Sequence, residues 1–210
     1  MRTQTYISAL SVLVLLLIIG YFAAVRYNIN PYHFVGEVVD EFNGVKVFYN
    51  GGINNVSGRL LTPDGYNLGI KYQCVEFVKR YYYERFKHKM PDALGHAKSF
   101  FDEKIEDGAI NQHRMLIQYK NGGRIPPAPE DILVFGPWLL NPYGHVAIVT
   151  KTTDSTIEIV QQNPGPFGSP REVLPMEHHD GAWRVGNTRV LGWLRKKSNI
   201  FVYETAVDSP

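Results

Sequence analysis

The sequence predicts an α+β domain preceded by one transmembrane helix. Three observations indicate this architecture: an uncharged apolar stretch near the amino terminus, helical patterns early in the domain, and short apolar strands separated by turns later. Helices followed by several short strands favour an α+β domain over alternating βαβ units. With 210 residues, 44% of them apolar and 20% charged, the chain is long enough for one domain with a sizeable core.

We expect the chain to have three parts. An anchor and linker occupy residues 1–35, the domain occupies residues 36–198, and a short tail occupies residues 199–210. The first part is the most distinctive in composition, because residues 3–25 contain no charged side chain. Twenty helical residues span roughly 30 Å, which is about the thickness of the hydrocarbon core of a bilayer.

Two interpretations of this apolar stretch are open. A cleaved signal peptide is one, although its apolar region is usually about 7 to 15 residues long, and residues 22–24 (Phe-Ala-Ala) fit a small-x-small cleavage site poorly. A membrane anchor formed by residues 6–25 is the interpretation we favour. The basic residues on either side, Arg2 and Arg26, place the domain outside the cytoplasmic membrane of a single-pass protein.

Composition excludes several classes of function. The formal net charge of +2 is too small for a nucleic-acid-binding surface. A single cysteine excludes an intramolecular disulfide and any zinc site built from paired cysteines. We therefore expect no nucleic-acid partner, no metal and no cofactor.

The only cysteine, Cys74, opens an amphipathic helical pattern. Loop and turn residues precede it over residues 62–69. Apolar residues then recur at helical spacing at Val75, Val78, Tyr82 and Phe86. In the first turn of a helix, unpaired backbone N–H groups and the positive end of the helix dipole favour an anion, which lowers the pKa of a thiol. Cys74 is therefore a candidate nucleophile, and a buried apolar cysteine is the alternative.

Further apolar patterns predict the rest of the core. Residues 91–105 have a second helical pattern, and residues 131–135 form a short apolar strand after a proline-rich approach. Short strands are also expected at residues 171–174, 182–185 and 190–194. This succession of strands supplies the sheet of the α+β domain.

Residues 144–161 predict a β-hairpin. If its turn is centred near Thr153, His145 lies directly opposite Gln161, with both side chains on the same face. Gln161 would then orient the imidazole. A slip of one residue would move Gln161 to the other face, and Asn163 is the alternative partner.

A cysteine at a helix start, followed by a histidine on a later antiparallel strand, resembles the papain-like cysteine-peptidase fold, in which the helix packs on the sheet. Five short motifs are similar to those of the CHAP family, the cysteine, histidine-dependent amidohydrolases/peptidases. Within that family the nearest likeness is to the amidase domain of glutathionylspermidine synthetase/amidase. The motifs fall within residues 45–195, at residues 73–77, 131–135, 144–149, 162–163 and 191–193.

The resemblance implies a role for each matching residue. Cys74 becomes the nucleophile and His145 its base, while Gln73 helps to hold the oxyanion. The related amidase has a glutamate where this chain has Gln161. A neutral amide can accept the imidazole N–H but cannot stabilise an imidazolium as a carboxylate does. Either activity is reduced, or Asn163 takes the orienting role.

These observations predict a membrane-anchored thiol amidohydrolase or peptidase. Its placement outside the membrane favours a peptide of the cell wall as substrate. Two alternatives remain open: an amidase acting on a small glutathione-polyamine amide, and a degenerate domain that binds wall peptides without cleaving them.

Overall fold

The computed structural model describes residues 2–91, 95–139 and 141–197, with side chains described from residue 10 onward. Helix α1 spans Arg2–Arg26, helix α2 spans Cys74–Phe86, and a 3₁₀ turn lies at Ala97–Phe100. The strands in these ranges are β1 (Val38–Phe42), β2 (Val45–Phe48), β3 (Arg59–Leu61), β4 (Asn67–Ile70), β5 (Ile110–Asn111), β6 (Leu116–Lys120), β7 (Ile132–Phe135), β8 (His145–Thr152), β9 (Thr156–Val160), β10 (Arg171–His179), β11 (Ala182–Val185) and β12 (Val190–Arg195).

One antiparallel sheet organises the domain. Its strand order is β11-β10-β9-β8-β7-β12-β6-β5, and β1-β2 and β3-β4 form two separate hairpins. Strand β7 and residues 146–149 of β8 are wholly buried, whereas β9 alternates between buried and half-buried residues before Val160. Cover on both faces accounts for the continuous apolar sequence of β7 and of residues 146–149, which lacks the alternation of a half-exposed strand.

Helix α2 packs on one face of the sheet, against β8. Phe77, Val78, Tyr81 and Tyr82 on this helix have no exposed surface. Burying a large apolar side chain contributes roughly 1.5 to 3 kcal/mol. The apolar stripe therefore fixes α2, and with it Cys74, against the middle of the sheet. A second apolar cluster around Trp193 fills the opposite face.

The expected transmembrane helix is a wrong prediction. Across the residues that the structure describes, no helix combines the length and the apolar character needed to cross a membrane. The membrane anchor over residues 6–25, the single-pass membrane localisation and the fold class that included this helix are corrected accordingly. The last turn of α1 contacts the domain instead: the Asn54 N–H donates to the Val25 carbonyl oxygen at 2.8 Å, and Arg26 donates to the Asn54 carbonyl oxygen at 3.1 Å.

The predicted second helix over residues 91–105 is also wrong. Its described part contains only the 3₁₀ turn, which buries Ala97 and Phe100. Gly95 interrupts the predicted helix shortly before Ala97 and Phe100, and it does not favour a continuous helix. The hairpin and the later strands are confirmed as elements. The predicted tail at residues 199–210 lies outside the described residues, and the division into three parts stays a prediction.

Candidate active site

Cys74 is the first residue of α2. Gln73 before it has extended backbone angles, with φ −79° and ψ 158°, so the helix begins at the cysteine as predicted. The thiol is buried, and it interacts with the backbone N–H of Val146, the residue after His145 on β8. The contact between α2 and β8 thus brings the cysteine beside the strand that carries the histidine.

Burial decides the charge state of the thiol. It raises the pKa of Cys74 to about 11, although the backbone N–H groups of Val146, Val75 and Cys74 act in the opposite direction. The predicted lowering of this pKa by the helix start is therefore wrong. The amide dipoles at the helix start stabilise the thiolate, but its removal from water destabilises it more. At neutral pH the resting thiol is protonated.

His145 is the first residue of β8 and is partly buried. Its Nε2 lies 2.9 Å from Oε1 of Gln161. Gln161 is fixed in turn, because its Nε2 donates to the Ser169 carbonyl oxygen at 3.1 Å and to Glu172 at 3.3 Å. This orientation leaves an oxygen facing the ring, so we assign the imidazole proton to Nε2 and a free lone pair to Nδ1.

Burial also keeps the imidazole neutral. It lowers the pKa of His145 to about 4; the hydrogen bond that Nε2 donates to Gln161 acts to raise this pKa, and the charge of Arg189 acts to lower it. A neutral ring with a free nitrogen is the form that can accept a proton. At neutral pH the Cys74 thiol and the His145 imidazole are therefore both uncharged.

The contact between His145 and Gln161 arises from a register other than the predicted one. Strand β8 pairs Ile148 with Val160, and an irregularity follows between Val149 and Lys151. Continued towards the start of β8, this register places His145 opposite Asn163 and makes Gln161 the diagonal neighbour, two residues away on the same face. The directly opposite placement of Gln161 is wrong. The shared face holds because the displacement is an even number of residues.

Gln73 and Asn163 form a separate pair below the start of α2. Asn163 Nδ2 donates to Gln73 Oε1 at 2.7 Å and to the Ile53 carbonyl oxygen at 2.9 Å. Gln73 Nε2 donates to the carbonyl oxygens of Ile53 at 3.1 Å and Asn55 at 2.8 Å. Both amide hydrogens of Gln73 are thus used, and in this arrangement neither points to an oxyanion. Asn163 contacts Gln73, whereas the imidazole is contacted by Gln161.

Gln162, in the motif at residues 162–163, is buried, and the sequence predicted no role for it. Its Nε2 donates to Glu76 at 2.7 Å and to the Gln73 carbonyl oxygen at 3.1 Å, and its Oε1 accepts from Arg80 at 3.3 Å. Glu76 and Arg80 form a buried ion pair on α2. This network joins the helix that carries Cys74 to the segment that carries Gln161. The sequence signal for this network was the spacing of Glu76 and Arg80, which lie four residues apart and so on the same side of the helix.

A second missed residue, Arg189, lies at the rim of the site. Its guanidinium carbon is 5.6 Å from the centre of the Phe135 ring and 5.7 Å from that of Trp138. Phe135 is paired with His145 across β7 and β8, and their rings are 5.8 Å apart. The sequence signal for Arg189 was its position directly before β12, the strand that pairs with β7.

Metal chemistry has no candidate ligand set here. Within the described part of the chain, no three histidine, cysteine, aspartate or glutamate side chains are grouped so that they could hold a metal. The residues gathered around Cys74 are suited to proton transfer and nucleophilic attack.

Comparisons with known proteins show what this sequence is similar to. Residues 64–163 match the family model of the CHAP domain, which confirms the family resemblance. The chain is 35% identical over 152 residues to glutathionylspermidine synthase of Crithidia fasciculata, covering 65% of this chain and 20% of the relative. It is 30% identical over 132 residues to trypanothione synthetase of the same organism, covering 61% of this chain and 20% of the relative.

A third relative is bacterial. The chain is 28% identical over 139 residues to the bifunctional glutathionylspermidine synthetase/amidase of Escherichia coli, covering 60% of this chain and 22% of the relative. The chain thus spans about a fifth of the length of each of these relatives.

Proposed function

We propose that this chain is a cysteine-dependent amidohydrolase that cleaves an amide bond through an acyl-enzyme, because residues 64–163 match the family model of the CHAP domain. One observation carries the proposal. A thiol at the start of α2 lies beside the strand of His145, whose ring is held at 2.9 Å by Gln161. Acyl transfer by a thiol uses a nucleophile, a base and a group that orients the base, and we propose these roles for Cys74, His145 and Gln161.

Proton transfer begins the proposed reaction. Gln161 holds the N–H at Nε2 of His145, which leaves Nδ1 to take the proton of the Cys74 thiol. The sulfur attacks the carbonyl carbon of the substrate, and the imidazolium then gives its proton to the leaving amine. Water, activated by the same imidazole, cleaves the thioester and restores the free cysteine.

In this proposal, backbone N–H groups stabilise the oxyanion. The Cys74 N–H is among the first amides of α2, which have no partner within the helix. The side chain of Gln73 is given no such role here, because its N–H groups are committed to Ile53 and Asn55. Gln73 instead supports the start of the helix.

The neutral amide of Gln161 limits how strongly the site can stabilise an imidazolium at His145. Both pKa shifts favour uncharged side chains before substrate binds. Charge therefore develops only during attack, and Gln161 stabilises the imidazolium less than a carboxylate would. We infer a slow but active enzyme. A degenerate domain that only binds is the competing function.

A small glutathione-polyamine amide is the substrate class that we propose. The names of two relatives support this choice, since one is a glutathionylspermidine synthase and the other a glutathionylspermidine synthetase/amidase. The wall-peptide substrate was predicted from an extracytoplasmic membrane placement, and that placement is corrected above. The wall peptide itself stays an untested prediction.

The test uses the full chain and two substrates, glutathionylspermidine and a purified cell-wall peptide. Release of amine is measured by mass spectrometry for the parent, Cys74→Ala and His145→Ala. We expect spermidine release by the parent and none by Cys74→Ala. Activity that survives in Cys74→Ala, or a folded parent that cleaves neither substrate, would contradict the proposal.

A further inference from the structure

Arg189 is held at the rim of the active site by aromatic rings. Its guanidinium lies over Phe135 and Trp138 at 5.6 and 5.7 Å, and its backbone oxygen accepts the Gly136 N–H at 2.7 Å. A guanidinium held over ring faces keeps its N–H donors in its own plane, at its edge. The backbone bond and the two rings thus hold the side chain while its donors stay available.

The charge of Arg189 is not paired with a carboxylate of the described residues. No ion pair is formed with it there, in contrast to Arg80, Arg171 and Arg195. Its guanidinium lies instead against two aromatic rings, and one of them, Trp138, is 46% exposed. A charge with such neighbours is poorly compensated by the protein alone.

Arg189 is also close enough to act on the catalytic histidine. Phe135, whose ring it covers, is the cross-strand partner of His145. Its charge is one of the causes that lower the pKa of His145, after burial. A positive charge here opposes formation of the imidazolium, so an anion bound to Arg189 would remove part of that opposition.

We propose that Arg189 binds a carboxylate of the substrate and makes the site selective for anionic amides. The inference rests on the proposed function of Cys74 and names a recognition group for it. A guanidinium binds a carboxylate with two parallel N–H···O bonds, which fixes both orientation and charge. Glutathione conjugates carry such carboxylates, so the inference narrows the proposed substrate class to molecules that retain one.

The test compares matched reagents that alkylate Cys74. Iodoacetate and N-(iodoacetyl)glycine carry a carboxylate, whereas iodoacetamide and N-(iodoacetyl)glycinamide replace it with a neutral amide. Rates are measured on the full chain at pH 9 by intact-mass spectrometry. The ratio of charged to neutral rates cancels any change in the reactivity of the thiol itself, and the longer pair extends the reach towards Arg189.

We expect Arg189→Gln to lower this ratio about tenfold for at least one reagent pair, since a charge-assisted contact is lost. Arg189→Lys should keep part of the preference, because the charge remains. The matched control is Arg184→Gln, which removes an equal charge from the exposed face of β11 and should leave both ratios unchanged.

Two results would overturn the inference: ratios in Arg189→Gln equal to those of the parent, or an equal fall in Arg184→Gln. If Arg189→Gln does not fold, the parent alone decides, because its preference for carboxylate reagents must weaken as salt rises from about 0.05 to 0.5 M. If the alkylation ratios do not depend on Arg189 but the chain still cleaves glutathionylspermidine, only the role of Arg189 is refuted. An Arg189-dependent ratio in a chain that cleaves no amide refutes the proposed function instead.

Discussion

Replacing Gln161 with glutamate should make His145 a stronger base. The amide oxygen of Gln161 lies 2.9 Å from Nε2 of His145, and a carboxylate in its place would face a developing imidazolium at hydrogen-bond distance. The bare Coulomb energy at that distance is about 6 kcal/mol at an effective dielectric of 20. Glu172 already lies 3.3 Å from Gln161 Nε2, so repulsion between two carboxylates offsets part of the gain.

We therefore expect a net stabilisation of about 1 to 2 kcal/mol, which raises the pKa of His145 by about one unit. If proton transfer limits turnover, kcat rises about 5- to 30-fold. Gln161→Leu should act in the opposite direction. It leaves the ring N–H without an acceptor at a cost of about 1 to 3 kcal/mol and lowers kcat by about tenfold.

The assay is the pH dependence of kcat/KM for amide hydrolysis by the full chain. His145 is active when neutral, so the rate falls as pH drops through its pKa, which is about 4 in the parent. The acid limb should move up by about one unit in Gln161→Glu. It should stay in place in the control Glu177→Gln, which alters an exposed charge on β10. An unchanged acid limb in Gln161→Glu, together with an unimpaired Gln161→Leu, would refute the reasoning.

Three further predictions concern protonation and packing. Because burial raises the pKa of Cys74 to about 11, iodoacetamide should modify the substrate-free chain more slowly than free cysteine at pH 7. The rate of modification should rise with pH up to about 11. Modification faster than that of free cysteine at pH 7 would contradict this. Because the folded pKa of His145 is depressed from 6.5 to about 4, the neutral ring contributes fully to stability above about pH 6.5. Up to roughly 3 kcal/mol of stability is lost as pH falls from 6.5 towards 4. In thermal unfolding over this pH range, His145→Ala should therefore lose less stability than the parent. Glu76→Ala leaves Arg80 buried without its carboxylate and should lower the free energy of unfolding in urea by about 3 to 5 kcal/mol, whereas exposed Glu106→Ala should change it by less than about 0.5 kcal/mol.

Local patterns in the sequence predicted the elements that carry the site. The start of α2 at Cys74 and the hairpin of β8 and β9 follow from periodicity and turn residues, which act over a few neighbouring positions. The even displacement of the register kept Gln161 on the face of His145. The predicted helix over residues 91–105 failed because its apolar residues are buried by a single 3₁₀ turn.

Properties that depend on burial could not be predicted in the same way. The pKa of Cys74 is set by how completely α2 and the sheet exclude water, which no local pattern reports. The links from Gln162 to Glu76 and from Asn163 to Gln73 join residues about 90 positions apart. The apolar residues of α1 predicted a membrane span, but such a count does not describe what the end of the helix contacts.

The most direct test of the account is to trap the acyl-enzyme. The full chain is mixed with glutathionylspermidine, quenched in acid within a second and examined by intact-mass and peptide mass spectrometry. We predict a glutathionyl thioester on Cys74, its loss in Cys74→Ala, and slower formation in His145→Ala. Hydrolysis of the amide with no covalent adduct at any time, or an adduct on another residue, would contradict the central claim that Cys74 is the nucleophile.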